Sequence, residues 1–290
     1  MALKIIRTIP ERLAAECQRT SERRFWLERL PSDIQELQDR WSLRVGAPFD
    51  KAEGSCAWVA PALCKDGTRA VLKFGMPHLE GKHEIQGLCF WNGDPTVYIL
   101  EADENINAML LERCEPGTTL RQLPEEEQDV ILAGLFKRLW RAPSPPHSFS
   151  HLSVMVDHWT NETIKDARKW PDPKLVKDGL RLFEELSSPS STDVLLATDL
   201  HAGNVLRAQR EPWLVIDPKP FVGDPAYDAT QHLFNCEARV QAAPNQTISR
   251  FADLLEVEHE RVRLWMFARA AAEPRDVWSN DSLALARALS

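Results

Sequence analysis

The sequence predicts an α+β fold in two lobes: a small antiparallel-sheet N-terminal lobe with N-terminal helices, and a mostly helical C-terminal lobe. Three observations lead to this prediction. The chain has 290 residues, a size at which one hydrophobic core usually gives way to two. Short β-rich runs separated by turn residues fill the first third, whereas longer helical patterns fill the rest. We place the lobes at residues 1–113 and 114–290.

The predicted N-terminal lobe has the order β-β-β-α-β-β after a helical extension. The extension covers residues 10–40, where Pro31 is expected to end one helix and Ser32-Asp33 to begin another. The tightest turn is expected at Lys65-Asp66-Gly67-Thr68, because an Asp-Gly pair accepts the positive φ angles of a hairpin turn. The remaining elements are strands near 42–45, 57–63, 69–74, 97–101 and 108–112 and a helix near 80–91.

The predicted C-terminal lobe consists mainly of amphipathic helices. Two Pro/Ser-rich breaks, at 142–150 and 187–192, are expected to be surface loops. The helices are expected near 124–141, 152–169, 173–187, 226–236, 247–255, 258–273 and 277–289.

Composition excludes several classes of protein. With 35 basic and 43 acidic residues the net charge is −8, which argues against a nucleic-acid-binding protein and suits a cationic small-molecule partner. The N-terminus lacks a signal-peptide apolar region, and no apolar run is long enough for a membrane span, so we expect a cytoplasmic protein. The six cysteines form no Cys-x-x-Cys pair, which predicts reduced thiols rather than a disulfide framework or zinc ribbon.

A loop near residue 200 carries the strongest chemical signal in the chain. Residues 197–205 read Ala-Thr-Asp-Leu-His-Ala-Gly-Asn-Val, and Asp217 ends the apolar run 213–216. Phosphoryl transfer to an alcohol needs one carboxylate to orient the attacking hydroxyl, and oxygen donors to hold Mg²⁺ on the nucleotide phosphates. Asp199 suits the first task as a catalytic base, and Asn204 and Asp217 suit the second as metal ligands. The spacing therefore predicts a magnesium-dependent kinase.

A kinase also needs a lysine aimed at the nucleotide phosphates and a helical carboxylate to hold it. Lys73 stands near the end of a predicted strand, on the same face as Val71. Glu84, inside the next predicted helix, is the expected partner, and Glu80, one turn earlier, is the alternative.

The phosphates should be covered by a hairpin that precedes this strand. Gly54 and Ser55 lie at the expected place, where glycine permits close backbone approach and serine donates hydrogen bonds to phosphate. The segment lacks the Gly-x-Gly-x-x-Gly pattern, and no Walker A sequence occurs in the chain.

The segment after Asp217 is expected to support the loop structurally. Asp224 is placed to cap a helix that begins at Pro225. Asp228, in the first turn of that helix, is expected to reach back to the catalytic loop.

Two segments carry a family resemblance. The sequences Thr-Asp-Leu-His-Ala-Gly-Asn-Val-Leu at 198–206 and Ile-Asp-Pro-Lys-Pro-Phe-Val-Gly-Asp-Pro-Ala-Tyr-Asp at 216–228 resemble the aminoglycoside phosphotransferase family. The sequence Ile-Asp-Pro-Lys-Pro at 216–220 is most similar to that of the streptomycin 6-kinase and hydroxyurea kinase branch. The resemblance covers about residues 40–275 and implies the bilobal fold shared with protein kinases. It also implies ATP or GTP as the phosphate donor and a cytoplasmic antibiotic-resistance enzyme.

The same resemblance implies roles for particular residues. It makes Asp199 the catalytic base, and it makes Lys73 and Glu84 the ion pair on the nucleotide side. It further implies that the segment containing Glu112 and Cys114 is the hinge that meets adenine through its backbone. Because aminoglycosides are polycations, their site should be lined with carboxylates. The candidate carboxylates after the hinge are Asp157, Glu162, Glu237 and Glu273.

One departure leaves alternatives to the antibiotic acceptor. Members of the family commonly read His-Gly-Asp where this chain has Ala197-Thr198-Asp199, and His201 is the residue that could fix the loop instead. A kinase of the same fold acting on a small metabolite, and a nucleotide-binding pseudokinase with a regulatory role, are the two alternatives. A protein kinase is disfavoured, because no Asp-Phe-Gly or Ala-Pro-Glu delimits an activation loop.

Overall fold

The computed structural model describes residues 9–49, 56–275 and 279–290. The chain divides into two compact units. The N-terminal unit runs to Thr118 and also takes Leu206–Ile216, and the C-terminal unit comprises Thr119–Val205 and Asp217–Ser290. The predicted boundary at residue 113 is a single linear one and leaves out residues 206–216, which belong to the first unit.

Two helices open the N-terminal unit, α1 (Glu11–Cys17) and α2 (Ser21–Arg40). The predicted stop at Pro31 is wrong, because α2 continues through this residue. An internal proline costs a helix about 3 kcal/mol. On either side of it, Leu30, Ile34 and Leu37 are buried in the core, and each buried side chain contributes roughly 1.5–3 kcal/mol. Burial of these three side chains therefore outweighs the cost of a proline inside the helix.

A five-stranded antiparallel sheet forms the centre of the N-terminal unit, as the sequence predicts. Its spatial order is β1-β2-β3-β5-β4, and every pairing is antiparallel. The turn predicted at 65–68 joins β2 to β3, with Gly67 at φ +90° and Cys64 N–H donating to the carbonyl of Thr68 at 2.9 Å. The strands are β1 (Arg44–Val45), β2 (Ala57–Leu63), β3 (Arg69–Gly75), β4 (Ile99–Asp103) and β5 (Ala108–Glu112).

The two faces of β3 have different neighbours. Ala70, Leu72 and Phe74 are buried with the apolar face of α2. Val71 packs instead with the cluster that contains Ile85 of α3 (Glu84–Trp91). Because side chains alternate along a strand, Lys73 lies on the Val71 face and so beside α3. The predicted helix over 80–91 begins as a 3₁₀ turn at Glu80–His83 and becomes α-helical at Glu84.

The C-terminal unit is mainly helical. Its longer helices follow the prediction within a few residues, but the short helix α8 was not predicted. The predicted helix over 152–169 is α-helical only to Lys165, and the one predicted from 247 begins at Pro244, where proline suits the first turn. The helices are α4 (Glu125–Leu139), α5 (Leu152–Lys165), α6 (Pro173–Leu186), α7 (Pro225–Asn235), α8 (Glu237–Ala242), α9 (Pro244–Leu255), α10 (His259–Ala272) and α11 (Asn280–Leu289).

Four short strands flank the loop at 197–204. Strand β6 (Val194–Leu196) pairs antiparallel with β9 (Phe221–Gly223), and β7 (Val205–Arg207) pairs with β8 (Trp213–Val215). The loop thus leaves the end of one strand and enters another, so both of its ends are held. Along the described parts of the chain, no helix combines the length and apolar character that crossing a bilayer requires.

Candidate active site

Lys73 and Glu84 form a buried ion pair within the N-terminal unit. Their side chains are 6% and 2% exposed. Lys73 stands opposite Val59 of β2 and Met109 of β5, so the strands on both sides hold its backbone. Glu84 is the first residue of α3, and its Oε1 accepts from Lys73 Nζ. The structure thus pairs Lys73 with Glu84 rather than with the alternative, Glu80.

The residues predicted to cover the phosphates, Gly54 and Ser55, lie outside the described residues. The strand that follows them, β2, begins at Ala57 and places Val59 beside Lys73.

The predicted hinge follows the end of β5. The Glu112 carboxylate accepts hydrogen bonds from Nε of Arg210 at 3.1 Å and from Nη2 of Arg210 at 3.0 Å. It also accepts one from the backbone N–H of Tyr98 at 3.0 Å. Cys114 is buried, and burial raises the pKa of its thiol to about 12. Because both side chains are already engaged or buried, an adenine contact made by Glu112 or Cys114 would have to come from the backbone.

The loop at 197–204 brings Asp199 and Asn204 together. Asn204 donates from Nδ2 to the backbone carbonyl of Asp199 at 2.9 Å, and its own N–H bonds to the carbonyl of His201 at 2.9 Å. Nδ1 of His201 accepts the N–H of Gly203 at 3.0 Å and lies 3.3 Å from Nη2 of Arg121. His201 therefore fixes the turn between Asp199 and Asn204.

Asp217 lies next to this loop in the C-terminal unit. It has a positive φ of +55°, and its Oδ1 accepts from Nζ of Lys219. Lys219 N–H bonds to the carbonyl of Ala197 at 2.8 Å, and its carbonyl accepts from the hydroxyl of Thr198 at 2.6 Å. These two bonds join the segment after Asp217 to the residues just before Asp199.

The oxygen donors of this site fit a magnesium ion. Asp217 is 37% exposed and supplies a carboxylate, and because its Oδ1 accepts from Lys219 Nζ, a cation bound there would share the carboxylate with this lysine. Because Nδ2 of Asn204 already donates to the carbonyl of Asp199, its Oδ1 is the amide atom that could coordinate a cation. One charged and one neutral oxygen suit a hard ion that keeps several waters.

Asp228 holds the backbone just before Asp199, as expected. Its Oδ1 accepts the N–H of Thr198 at 2.8 Å, and its Oδ2 accepts from Ala197 N–H at 3.1 Å and Trp140 Nε1 at 3.0 Å. Asp228 is only 1% exposed, and burial raises its pKa to about 6. The three donors suit the ionised carboxylate, which accepts hydrogen bonds but donates none.

Sequence reasoning missed two residues that bear on Asp199. Gln231 donates from Nε2 to Asp199 Oδ1 at 2.8 Å, and Arg269 donates from Nη2 to Gln231 Oε1 at 3.0 Å. A signal existed for each. Gln231 follows Asp228 by three residues and so shares its face of α7, and Arg269 is a charge within the buried part of α10.

The four predicted acceptor-binding carboxylates have different surroundings. Asp157 and Glu237 are exposed, and Glu237 accepts from Gln241 at 3.0 Å. Glu162 pairs with Lys165 at 2.5 Å. Glu273 accepts hydrogen bonds from Nε and Nη2 of Arg269 at 2.8 and 3.2 Å. Of these four, Glu273 is joined to Asp199 by hydrogen bonds, through Arg269 and Gln231.

A buried Asp-His-Cys group elsewhere in the C-terminal unit is better explained as an ion pair than as a metal site. The ligand atoms of Asp129, His232 and Cys236 lie within 4.8 Å of one another. However, Arg239 donates to both oxygens of Asp129, at 2.6 and 2.7 Å. Burial acts to raise the pKa of Asp129, but hydrogen bonds from Arg239 and His232 hold it well below its usual value. A cation would have to displace a guanidinium that already neutralises the carboxylate.

Thr198 occupies a position that favours glycine, with φ at +44°. Thr198→Val keeps a β-branched side chain there but removes the hydroxyl that donates to the Lys219 carbonyl, so we expect a loss of about 1–3 kcal/mol in unfolding free energy. Thr198→Gly also loses the hydroxyl but relieves roughly 1–2 kcal/mol of left-handed strain. Urea denaturation should therefore place the glycine variant near the wild type and the valine variant clearly below it. If both variants lost the same unfolding free energy, the positive φ of Thr198 would not be a source of strain.

The fold defines the general class of the protein. The structure of the choline kinase LicA from Streptococcus pneumoniae superposes with a TM-score of 0.60 at 12% identity, covering 89% of this chain and 97% of that one. At this identity the likeness concerns the fold alone, and it is the protein-kinase-like fold of small-molecule kinases.

Sequence comparison narrows the class to a family. The profile of the aminoglycoside/hydroxyurea antibiotic resistance kinases matches residues 40–281. Streptomycin 6-kinase of Streptomyces glaucescens is 38% identical over 273 residues, 90% of this chain and 88% of that protein. The hydroxyurea phosphotransferase of Kitasatospora aureofaciens is 32% identical over 251 residues, 85% of this chain and 72% of that protein. The chain therefore belongs to the aminoglycoside/hydroxyurea antibiotic resistance kinase family.

Family membership confirms the predicted resemblance and the predicted type of reaction. The chain is a phosphotransferase that uses a nucleotide and a small-molecule acceptor. Its relatives are named as kinases and phosphotransferases, so the pseudokinase alternative is set aside.

Proposed function

We propose that this enzyme transfers the γ-phosphate of ATP, with Mg²⁺, to a hydroxyl of a streptomycin-type aminoglycoside. The observation that carries the proposal is the arrangement around Asp199: Asn204 is bonded to its carbonyl, and Asp217 follows in the adjoining segment. The relative at 38% identity is named streptomycin 6-kinase, which supports this choice of acceptor.

The proposed chemistry assigns one task to each side chain. Asp199 accepts a hydrogen bond from the acceptor hydroxyl and takes its proton while the new O–P bond forms. The bond between the γ-phosphorus and the bridging oxygen breaks, and ADP leaves. Asn204 and Asp217 would hold the magnesium ion, which would supply positive charge to offset that of the phosphates. Lys73, oriented by Glu84, meets the other phosphates of the nucleotide.

Acceptor recognition is proposed to depend on exposed carboxylates. Asp157 and Glu237 offer their charge to solvent, so a polycation could bind them without displacing another cation. Glu162 and Glu273 already hold Lys165 and Arg269, and a drug would have to compete with those partners. We therefore rank Asp157 and Glu237 first among the four.

A small metabolite is the second candidate acceptor. The observation that favours it is Ala197-Thr198, where the resemblance leads one to expect His-Gly. Here Thr198 takes a left-handed conformation, with φ at +44°.

The proposal is tested by nucleotide consumption with Mg²⁺, in the presence of streptomycin and in its absence. We expect ATP consumption to depend on streptomycin, a phosphorylated drug to appear by mass spectrometry, and chelation of the metal to stop both. GTP serves as the alternative donor, and spectinomycin and choline serve as control acceptors. If streptomycin leaves ATP consumption at its basal rate while a sugar or amino alcohol raises it, the antibiotic acceptor is wrong and the metabolite kinase is correct.

A further inference from the structure

We propose that Gln231 and Arg269 are positioning residues that set the orientation of the Asp199 carboxylate. This inference rests on the proposed function, because it takes Asp199 to be the catalytic base. It begins from the contact between Gln231 Nε2 and Asp199 Oδ1, at 2.8 Å.

An aspartate carboxylate needs such a contact to keep one orientation. Its last torsion joins an sp³ carbon to an sp² carbon, and torsions of this kind have broad preferences rather than sharp wells. Asn204 holds the carbonyl of Asp199 and Asp228 holds the two residues before it, but these backbone bonds do not set the rotation of the carboxylate. By holding Oδ1, Gln231 determines where the other oxygen lies.

Arg269 determines which end of the Gln231 amide faces Asp199. A glutamine amide has a donor and an acceptor end, and the two ends are easily interchanged by rotation. A carboxylate only accepts and a guanidinium only donates, so Gln231 satisfies both neighbours in one orientation, with Nε2 toward Asp199 and Oε1 toward Arg269. If the amide rotated by 180°, its oxygen would face the Asp199 carboxylate oxygen and its NH₂ group would face the Arg269 guanidinium, and both hydrogen bonds would be lost.

Arg269 is itself held on several sides. It is 5% exposed, it donates to both oxygens of Glu273, and its Nη1 donates to the hydroxyl of Thr230 at 2.6 Å. Its guanidinium also lies over aromatic rings, an arrangement that stabilises a desolvated cation. These rings belong to Trp159, Tyr227 and Phe234, at 5.5, 5.2 and 5.0 Å.

Helix α7 carries both supports of the base. Asp228 in its first turn bonds to the backbone N–H groups of Ala197 and Thr198, and Gln231 three residues later bonds to the carboxylate of Asp199. A base held from a rigid helix is positioned more accurately than one held by its loop alone. Glu273 thereby acts through Arg269 on the base, which explains its ion pair better than acceptor binding does.

The inference predicts a loss in kcat with little change in nucleotide binding. Gln231→Met has nearly the same size but removes both hydrogen bonds. Because a misplaced reacting group can cost about 10²-fold, we expect kcat to fall roughly 10–100-fold. The KM for ATP should stay within about twofold, since Gln231 contacts the base and the KM reports the nucleotide site. Gln35→Met, at an exposed glutamine of α2, is the matched control and should leave both constants unchanged.

A second variant separates positioning from folding. Gln231→Glu keeps the shape and still accepts from Arg269, but it faces Asp199 with a like charge. The protein should fold, as judged by its Tm, and kcat should fall at least as far as in Gln231→Met. A wild-type kcat per folded molecule in either variant, or a kcat loss accompanied by an equal rise in the KM for ATP, overturns the inference.

The design also distinguishes this inference from the proposed function. Streptomycin is the acceptor in these assays, and hydrolysis of Mg²⁺-ATP by water is measured beside it. If Asp199→Asn retains wild-type turnover, the assignment of the base fails, and the inference falls with it. If Asp199→Asn is inactive and both Gln231 variants retain wild-type kcat, only the inference fails. If streptomycin is not phosphorylated, the hydrolysis of ATP still reports the effect on the base.

Discussion

Asp199→Asn is expected to lower kcat by about 10²–10⁴-fold, the range that a positioned general base contributes. The asparagine oxygen can still accept from Gln231, so the loop should keep its conformation, but the amide cannot take the proton of the acceptor hydroxyl. Binding of Mg²⁺-ATP should change by less than about threefold, because Asp199 is assigned to the acceptor and not to the nucleotide. Steady-state kinetics and calorimetric titration with Mg²⁺-ATP measure the two quantities separately.

Asp178→Asn is the matched control for this substitution. Asp178 lies on α6, where it pairs with Lys174 across one helical turn at 3.1 Å, and a partly exposed pair of this kind contributes at most about 1 kcal/mol. The control should therefore have wild-type kcat. Turnover within about threefold of wild type in Asp199→Asn would show that another group takes the proton, and the assignment of the base would have to be abandoned.

The parts of the fold that were predictable from sequence depend on short-range patterns. Alternation along β3 put Lys73 on the face opposite Leu72, and the Asp-Gly pair at 66–67 located the hairpin. Pro31 shows where local reasoning fails. Its cost to the helix is a local property, whereas the burial of Leu30, Ile34 and Leu37 that outweighs this cost depends on tertiary packing.

In the candidate active site, too, contacts between residues close in sequence were predictable, whereas contacts that depend on tertiary packing were not. Asp199 and Asn204 are five residues apart, so one turn brings them together, and a local pattern was enough to predict that they lie close to each other. Gln231 and Arg269 are 38 residues apart and meet only because α7 and α10 pack together, which no local pattern encodes. For Glu273, as for Gln231 and Arg269 taken singly, a local signal existed, since Arg269 lies four residues earlier and pairs with it. The prediction for Glu273 rested on the sign and position of this carboxylate and took no account of its neighbour Arg269.

The second large effect is expected at the buried pair of Lys73 and Glu84. Glu84→Gln removes the carboxylate that offsets a lysine whose side chain is 6% exposed, and breaking a buried pair in this way costs about 3–5 kcal/mol. Urea denaturation should show this loss in unfolding free energy. The same Glu→Gln change at Glu256, which pairs with Lys137 and is 78% exposed, should cost less than about 1 kcal/mol.

Replacing both partners separates stability from catalysis. In Lys73→Met/Glu84→Leu both charges of the pair are removed, and apolar replacement of a buried ion pair is often neutral or stabilising by about 1–4 kcal/mol. We therefore expect the double variant to recover most of the stability lost in Glu84→Gln but none of the activity, because no cation meets the nucleotide phosphates. If activity returned together with stability, the pair would be structural and Lys73 would not be a nucleotide ligand. The role of the Lys73–Glu84 pair would then be limited to holding α3 against β3.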